Sequence, residues 1–369
     1  MTTEEILIDK DQLSTWLKEK KAVTILDIRP LKEREEWLIP GSIHANVYDK
    51  LKANDPTAFD GIELPGNQPI VTVCGGGKLS VTAAEKLQDK GYKALSLQGG
   101  MKAWNFAWNT AELKLADAKV IQVRRSSKGC LSYIIGSGSD AIVIDASLDP
   151  QVYINIAKDN GWIIQYVTDT HIHADYLSRT RELAQATSAK HVLIDMASVE
   201  YPFVPIKSGE QIKIGKATLE VIHTPGHTLE STSFRLGADA VFTGDTLFVN
   251  GVGRPDLKAN QDEAIDKSKM LFQSLSQLLK LNENTLVLPA HISEAVAFDN
   301  KLIGETINNL KDKLEMLKLS ESEFINFTMS RIPPTPPNYL TIATLNKQGS
   351  YEGYTPADLE AGANRCAIA

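Results

Sequence analysis

Five of the seven histidines of this chain lie in three short segments, each at a place where an apolar run gives way to a turn. The segments are Thr170-His171-Ile172-His173-Ala174-Asp175-Tyr176, His223-Thr224-Pro225-Gly226-His227-Thr228 and Leu288-Pro289-Ala290-His291. A fourth segment, Thr243-Gly244-Asp245-Thr246-Leu247-Phe248, follows the apolar run Ala240-Val241-Phe242. Imidazole and carboxylate together suit zinc and non-haem iron alike. In the extended end of a strand, residues two apart face the same way, so His171 and His173 converge; Asp175 is expected to open the following helix. Pro225-Gly226 forces a turn that presents His227 on a loop. A lone strand-end histidine is an ordinary satisfied side chain, whereas this ordered set points to a metal centre.

A second kind of chemistry is written at Cys74-Gly75-Gly76-Gly77-Lys78-Leu79-Ser80. The cysteine stands directly after one apolar run and directly before a helical pattern. Consecutive glycines let the backbone curl so that several N–H groups point at one spot. That spot lies at a helix N-terminus, where an anion is stabilised. A cysteine so placed is held partly as the nucleophilic thiolate.

The elements that must position these groups divide into two styles. From Ala22 to about Trp104 strands and helices alternate: Ala22–Ile28 and Pro69–Val73 read as buried strands. Leu31–Trp37 reads as a short helix ended by Pro40-Gly41. Ser80–Lys90 reads as a helix, with Val81, Ala84 and Leu87 at helical spacing and Gly91 as its stop. Such alternation argues for a parallel sheet with helices on its faces. Asn105–Lys119 shows no strong period and reads as a linker, giving domains at 1–110 and 120–369 with the linker at 111–119. Beyond it, Val120–Val123, Leu131–Ile135 and Ala141–Asp145 read as closely spaced strands. Asp149-Pro150 opens a helix, Gln165–Thr168 is a strand running into His171, and Ala264–Leu279 is a long helix. Asp27 and Arg29 read as a structural pair near the thiol loop, Cys130 as core and Cys366 as a bystander near the end.

Bulk properties narrow the partners. A chain of 369 residues exceeds one core, and 43% hydrophobic with 23% charged residues is ordinary for a globular protein. A net charge of −7 disfavours nucleic acid and anionic membrane surfaces. No apolar run approaches the length of a membrane span. The N-terminal MTTEEILIDKDQ lacks the apolar core of a signal peptide, so the expected location is cytoplasmic. Three cysteines form no disulfide framework.

The first region resembles the rhodanese family of sulfurtransferases in several ordered blocks: Ile25-Leu26-Asp27-Ile28-Arg29, Ile39-Pro40-Gly41-Ser42-Ile43-His44, Cys74–Leu87, Gly91-Tyr92 and Gly99-Gly100-Met101-Lys102-Ala103-Trp104. The resemblance implies that Cys74 carries a sulfane sulfur as a persulfide, with Gly75, Gly76, Gly77 and Lys78 as the binding loop. Leu79 stands where such loops often carry arginine.

The second region resembles the metallo-β-lactamase superfamily, which implies an α+β domain: a four-layer αβ/βα sandwich with the metal between the edges of its two sheets. Dinuclear zinc hydrolases of this fold use HxHxDH, and here Tyr176 replaces the last histidine; a phenol is a poor ligand near neutral pH. Within the superfamily the region is similar to the persulfide dioxygenase branch, through His171–Asp175, His223–His227, Gly244-Asp245 and Gly253-Arg254-Pro255-Asp256-Leu257. That likeness implies His171, His227 and Asp245 as ligands, with His173, Asp175, Tyr176 and His291 around them and Arg254 binding the carboxylate of a thiol substrate. Ile292-Ser293 departs from the Asp-Tyr pair of glutathione-specific members. The expectation is a bifunctional sulfur enzyme. One Fe(II) per chain supports oxidation of a low-molecular-weight thiol persulfide (of glutathione or another thiol) by O2 to sulfite and thiol. Cys74 moves sulfane sulfur among persulfide, sulfite and thiosulfate. A homodimer is open. The alternatives are a dinuclear zinc thioester hydrolase of glyoxalase II type with an attached sulfur carrier, and a sulfur-relay or persulfide-sensing module with a structural metal.

Overall fold

In the first domain, the strands are short and two central ones, Thr24–Asp27 and Ile70–Val73, are buried end to end, because helices cover both faces of their sheet. The computed structural model describes residues 6–362 and 364–369; residues 1–5 of the N-terminal stretch and Ala363 before Cys366 lie outside it. The chain runs β1 (Leu7–Ile8), α1 (Lys10–Lys18), β2 (Thr24–Asp27), α2 (Leu31–Glu36), β3 (Ile43–His44), α3 (Tyr48–Lys52), β4 (Ile70–Val73), α4 (Lys78–Asp89), β5 (Ala94–Leu97) and α5 (Gly100–Trp104). The strands form one parallel sheet in the order β1-β5-β4-β2-β3. Leu26, Ile70, Ala83, Ala84 and Leu87 pack on one side of it; Leu13, Val71, Val73, Met101 and Trp104 pack on the other. Helix α4 starts at Lys78, earlier than the apolar spacing alone indicated, so it begins directly on the glycines after Cys74.

The expected linker is structure. Strand β6 (Trp108–Lys114) pairs along its whole length with β7 (Lys119–Arg125) and is the edge of the second domain's first sheet. Its inward positions are Asn109 and Ala111, and Asn109 accepts a 2.6 Å hydrogen bond from Arg124. A buried polar residue at an inward site removes the apolar alternation by which a strand is recognised.

The sheet continues through β8 (Leu131–Ser137), β9 (Asp140–Ile144), β10 (Ile163–Thr168), β11 (Lys190–Ile194) and β12 (Val204–Ile206), in the order β12-β11-β10-β9-β8-β7-β6. Helices α6 (Pro150–Asp159, capped by Asp149) and α7 (Thr180–Thr187) cover its outer face. The second sheet has the order β13-β14-β15-β16-β18-β19, from β13 (Gln211–Ile214), β14 (Ala217–His223), β15 (Thr232–Leu236), β16 (Ala240–Gly244), β18 (Leu286–Pro289) and β19 (Glu305–Thr306). Helices α8 (Gln261–Leu278), α9 (Ile307–Lys313) and α10 (Glu321–Ser330) lie outside it. The inner faces meet in a core that includes Leu131, Tyr133, Ile142, Leu219, Phe234, Phe242 and Leu288. The result is the four-layer sandwich expected, with mixed sheets. Strand ends of both sheets open on one edge, so residues distant in sequence converge there.

Two further helices, α11 (Tyr339–Gln348) and α12 (Pro356–Leu359), lead to β20 (Ala367–Ile368), which pairs antiparallel with β17 (Val252–Gly253). This tail ties the domains together. Asp358 pairs with Lys102, the Glu360 carbonyl accepts from Asn105, and the fully buried Glu360 carboxylate pairs with Arg125 at 2.7 Å. No helix among the described residues is long and apolar enough to cross a membrane.

Candidate metal centre and thiol loop

His171 follows β10, His227 sits on the loop after β14, and Asp245 follows β16 directly. All are buried, and one donor atom from each lies within 4.8 Å of the others. The Nε2 atoms of His171 and His227 are 3.7 and 3.6 Å from Asp245 Oδ2. His171 Nε2 and Asp245 Oδ2 have no hydrogen-bond partner. Two orphaned buried atoms facing one point are costly unless something binds them, so this donor set fits a cation. The other ring nitrogens set the tautomers. His227 Nδ1 donates to the Arg254 carbonyl at 2.8 Å. His171 Nδ1 lies 3.0 Å from Thr170 Oγ1, whose own proton goes to Asp145. Each Nε2 lone pair is thus left for a metal. Burial pushes both imidazoles below their ordinary pKa, which keeps them neutral. Gly253 lies against this cluster, where a Cβ would run into the Asp245 carbonyl and the His227 side chain.

His291 bridges two carboxylates. Its Nδ1 is 2.5 Å from Asp245 Oδ1, and its Nε2 is 2.9 Å from Asp175 Oδ2, an ion pair outside hydrogen-bond geometry. Burial alone would lower His291; Asp175 and Asp245 reverse this and raise it well above the usual range. Burial would likewise raise Asp245 and Asp175, but the attraction of His291 holds both below the ordinary carboxylate range. His173 turns its Nε2 to Asp145 at 3.1 Å and to the Tyr176 hydroxyl at 2.8 Å. Burial and Asp145 keep the Tyr176 phenol protonated. Among the described residues, groups containing His291 or His173 could also hold a metal. In those, however, the imidazoles are already engaged with carboxylates. His173 Nδ1 and Asp175 Oδ1 remain without partners, and such atoms are where ordered water binds.

Three placements differ from expectation. Asp175 opens no helix, since α7 begins at Thr180; it lies in an irregular segment that aims its carboxylate at His291 and at Asn364 Nδ2, 2.8 Å away. Arg254 does not face a substrate space. Its guanidinium is fully buried, forks onto Asp256 at 2.8 and 2.7 Å, and also donates to the carbonyls of Pro333, Pro334 and Arg365. These acceptors tie the Arg254 segment, whose carbonyl accepts from His227, to Asp256 and to the C-terminal tail. Cys366, expected as a bystander near the end, lies in the buried cluster: its thiol groups with Asp245 and His291, and burial followed by Asp245 keeps it protonated. Cys130 lies 3.7 Å from Asp175. No signal near either cysteine in sequence shows this; the β17–β20 pairing brings in Cys366, and the bridge between Cys130 and His291 brings in Cys130.

The thiol loop is a backbone cradle. Cys74 Sγ accepts from the N–H groups of Gly77 (3.2 Å) and Ser80 (3.4 Å) and lies 3.3 Å from Ser80 Oγ. Gly77 has φ 87°, which a glycine adopts freely. Gly75 is half-buried, while Gly76 and Lys78 are exposed at the mouth. Arg29 clamps Asp27 at 2.7 Å beneath the loop.

With this geometry in hand, the comparisons define the class. Residues 9–107 match the Rhodanese-like domain and residues 127–291 match the Metallo-beta-lactamase superfamily. The chain is therefore an N-terminal rhodanese domain joined to a metallo-beta-lactamase domain, a fold that binds metal. Among relatives, a Hydroxyacylglutathione hydrolase from Polaromonas sp. is 34% identical over 157 residues, 41% of this chain and 57% of the relative. The mitochondrial Persulfide dioxygenase ETHE1 of Mus musculus is 28% identical over 222 residues, 58% of this chain and 82% of the relative. The crystal structure of ETHE1 from Myxococcus xanthus superposes with a TM-score of 0.54 at 26% identity, covering 66% of this chain and 100% of that one. The chain spans little more than half the length of the hydrolases it matches.

Proposed function

We propose that this protein oxidises a low-molecular-weight thiol persulfide with O2 at one iron and moves sulfane sulfur through Cys74. The observation that carries the proposal is the contrast within the metal centre. His171, His227 and Asp245 leave unpartnered donors for one ion. A second ion would lack an imidazole at position 176, where Tyr176 is a protonated phenol bonded to His173, and His291 Nδ1 is engaged with Asp245 Oδ1. Two imidazoles and one carboxylate are the facial set of non-haem iron. Bound there, iron(II) would bring persulfide and O2 together and supply the electrons' path between them.

The overall change is RSSH + O2 + H2O giving RSH and sulfurous acid: the terminal sulfur is oxidised, O2 is reduced, and the S–S bond breaks with the thiol as leaving group. The protein's own groups hold the site in register. Neutral His171 and His227 present lone pairs, His291 keeps Asp245 ionised, and Arg254 fixes the His227 tautomer through its carbonyl. At the first domain, the Gly77 and Ser80 N–H groups point at the Cys74 sulfur that would carry the persulfide. Attack by sulfite on its persulfide would release thiosulfate and restore the cysteine. Three free, buried cysteines accord with a reducing compartment such as the cytoplasm.

The identity to hydroxyacylglutathione hydrolases favours a second reading, thioester hydrolysis at two zinc ions. Oxygen uptake separates them. On adding glutathione persulfide to iron-loaded protein, about one O2 consumed per sulfite formed supports the dioxygenase. Hydrolysis of a glutathione thioester without oxygen uptake overturns it.

A further inference from the structure

Beside the metal centre lies a cleft of about 670 Å³ with the ligand His227 in its wall. That volume suits a small peptide or nucleotide-sized molecule. Its lining joins two features that are unusual together. Met196, Leu229 and Met270 expose 50, 57 and 36% of their surface, and all three line this one cleft. Exposed apolar side chains gathered in one place mark a binding surface. Lys258, Lys267 and Lys347 converge on the same space in a chain of net charge −7.

Glu230, Glu263 and Asp266 line the same space, but none forms an ion pair with these lysines. Glu230 accepts from the Ile172 N–H at 3.0 Å, Glu263 closes the cap of α8 with the Asn260 N–H at 2.8 Å, and Asp266 pairs with Lys269 at 3.0 Å. Lys267 donates only to the Leu257 carbonyl, and neither Lys258 nor Lys347 has an ion-pair partner among the described residues. Lys258 is also held at φ 58°, a left-handed conformation that non-glycine residues rarely adopt and that tends to mark working sites. Burial lowers the pKa of Lys267 to about 8 against the attraction of Glu230, Asp256 and Glu263, and burial with the like charge of Lys347 lowers that of Lys258 against Glu230.

We infer that Lys258, Lys267 and Lys347 determine specificity by binding the negative charge, carboxylate or phosphate, that a thiol persulfide carries away from its sulfur. The inference rests on the persulfide reading above and adds what the thiol must be: anionic, with an apolar stretch between its charge and its sulfur.

The test compares oxygen uptake by iron-loaded, full-length protein on the persulfides of glutathione (carboxylates), coenzyme A (phosphates) and 2-mercaptoethanol (neutral). It uses wild type, Lys258→Gln/Lys347→Gln and Lys258→Arg/Lys347→Arg. The ratio of kcat/KM for anionic over neutral persulfide should fall about tenfold in the glutamine pair, through KM, and be largely retained in the arginine pair. In wild type, added salt should lower the same ratio. Calorimetry with free glutathione and free coenzyme A should show binding weakened to a similar degree in the glutamine pair, and the thiol that loses more identifies carboxylate or phosphate. A wild-type ratio indifferent to salt, or a glutamine pair with unchanged KM and binding, overturns the inference. If no persulfide drives oxygen uptake yet the free thiol binds through the lysines, the reaction reading fails and the cleft assignment stands.

Discussion

The two candidate centres of this molecule, the Cys74 loop and the His171/His227/Asp245 cluster, are built by opposite means. The Cys74 loop is one stretch of chain whose backbone N–H groups face the sulfur, and its geometry is set by glycines and the start of α4. The metal centre is drawn from loops of two sheets, and every donor is oriented by a further side chain or carbonyl: Thr170 for His171, the Arg254 carbonyl for His227, His291 for Asp245. A backbone cradle depends on few side chains and fails when its own residues change. An assembled centre fails when any of many distant residues changes.

Perturbations should separate the two. The largest effect is expected from Asp245→Asn or His227→Ala, which should remove the metal and lower oxygen uptake by more than about 100-fold while leaving thiosulfate-dependent sulfur transfer near wild type. Cys74→Ser should do the converse, abolishing transfer with oxygen uptake retained; transfer surviving in that variant would show that another group carries the sulfur. Glu360→Ala leaves Arg125 buried and unpaired between the domains and should destabilise by about 3 kcal/mol, read by denaturant unfolding. His291→Gln, which removes the charge that holds Asp245, should weaken metal binding by about tenfold in a chelator competition yet leave Cys74 chemistry untouched. The smallest effect is on pH dependence. Because burial holds Lys267 near 8, the empty cleft loses positive charge as pH rises through about 8. KM for an anionic persulfide should then rise a few-fold between about pH 7 and 9, while that for a neutral one should not.

The same contrast explains what could be read from the sequence. The thiol loop is contiguous, so residue types and spacing describe it almost completely. The His/Asp cluster was legible because its segments follow strands in short motifs; the choice of His171, His227 and Asp245 as ligands came from the family resemblance, and the structure brings their donor atoms together. The shell around them was only partly so. Cys366 and Cys130 arrive by strand pairing and bridging across more than a hundred residues, which leaves no local mark. Arg254 was legible as a guanidinium but not as one already surrounded by Asp256 and backbone carbonyls. Strand β6 was hidden because Asn109 occupies an inward position to satisfy buried Arg124. The cleft lysines stand on a loop and two helices far apart in sequence, and nothing in their spacing joins them.

The central claim is that His171, His227 and Asp245 hold a single ion because His291 and Tyr176 are committed elsewhere. Metal analysis of the purified full-length protein tests it most directly. The account predicts about one iron per chain, lost in Asp245→Asn; two zinc ions per chain in wild type would contradict it.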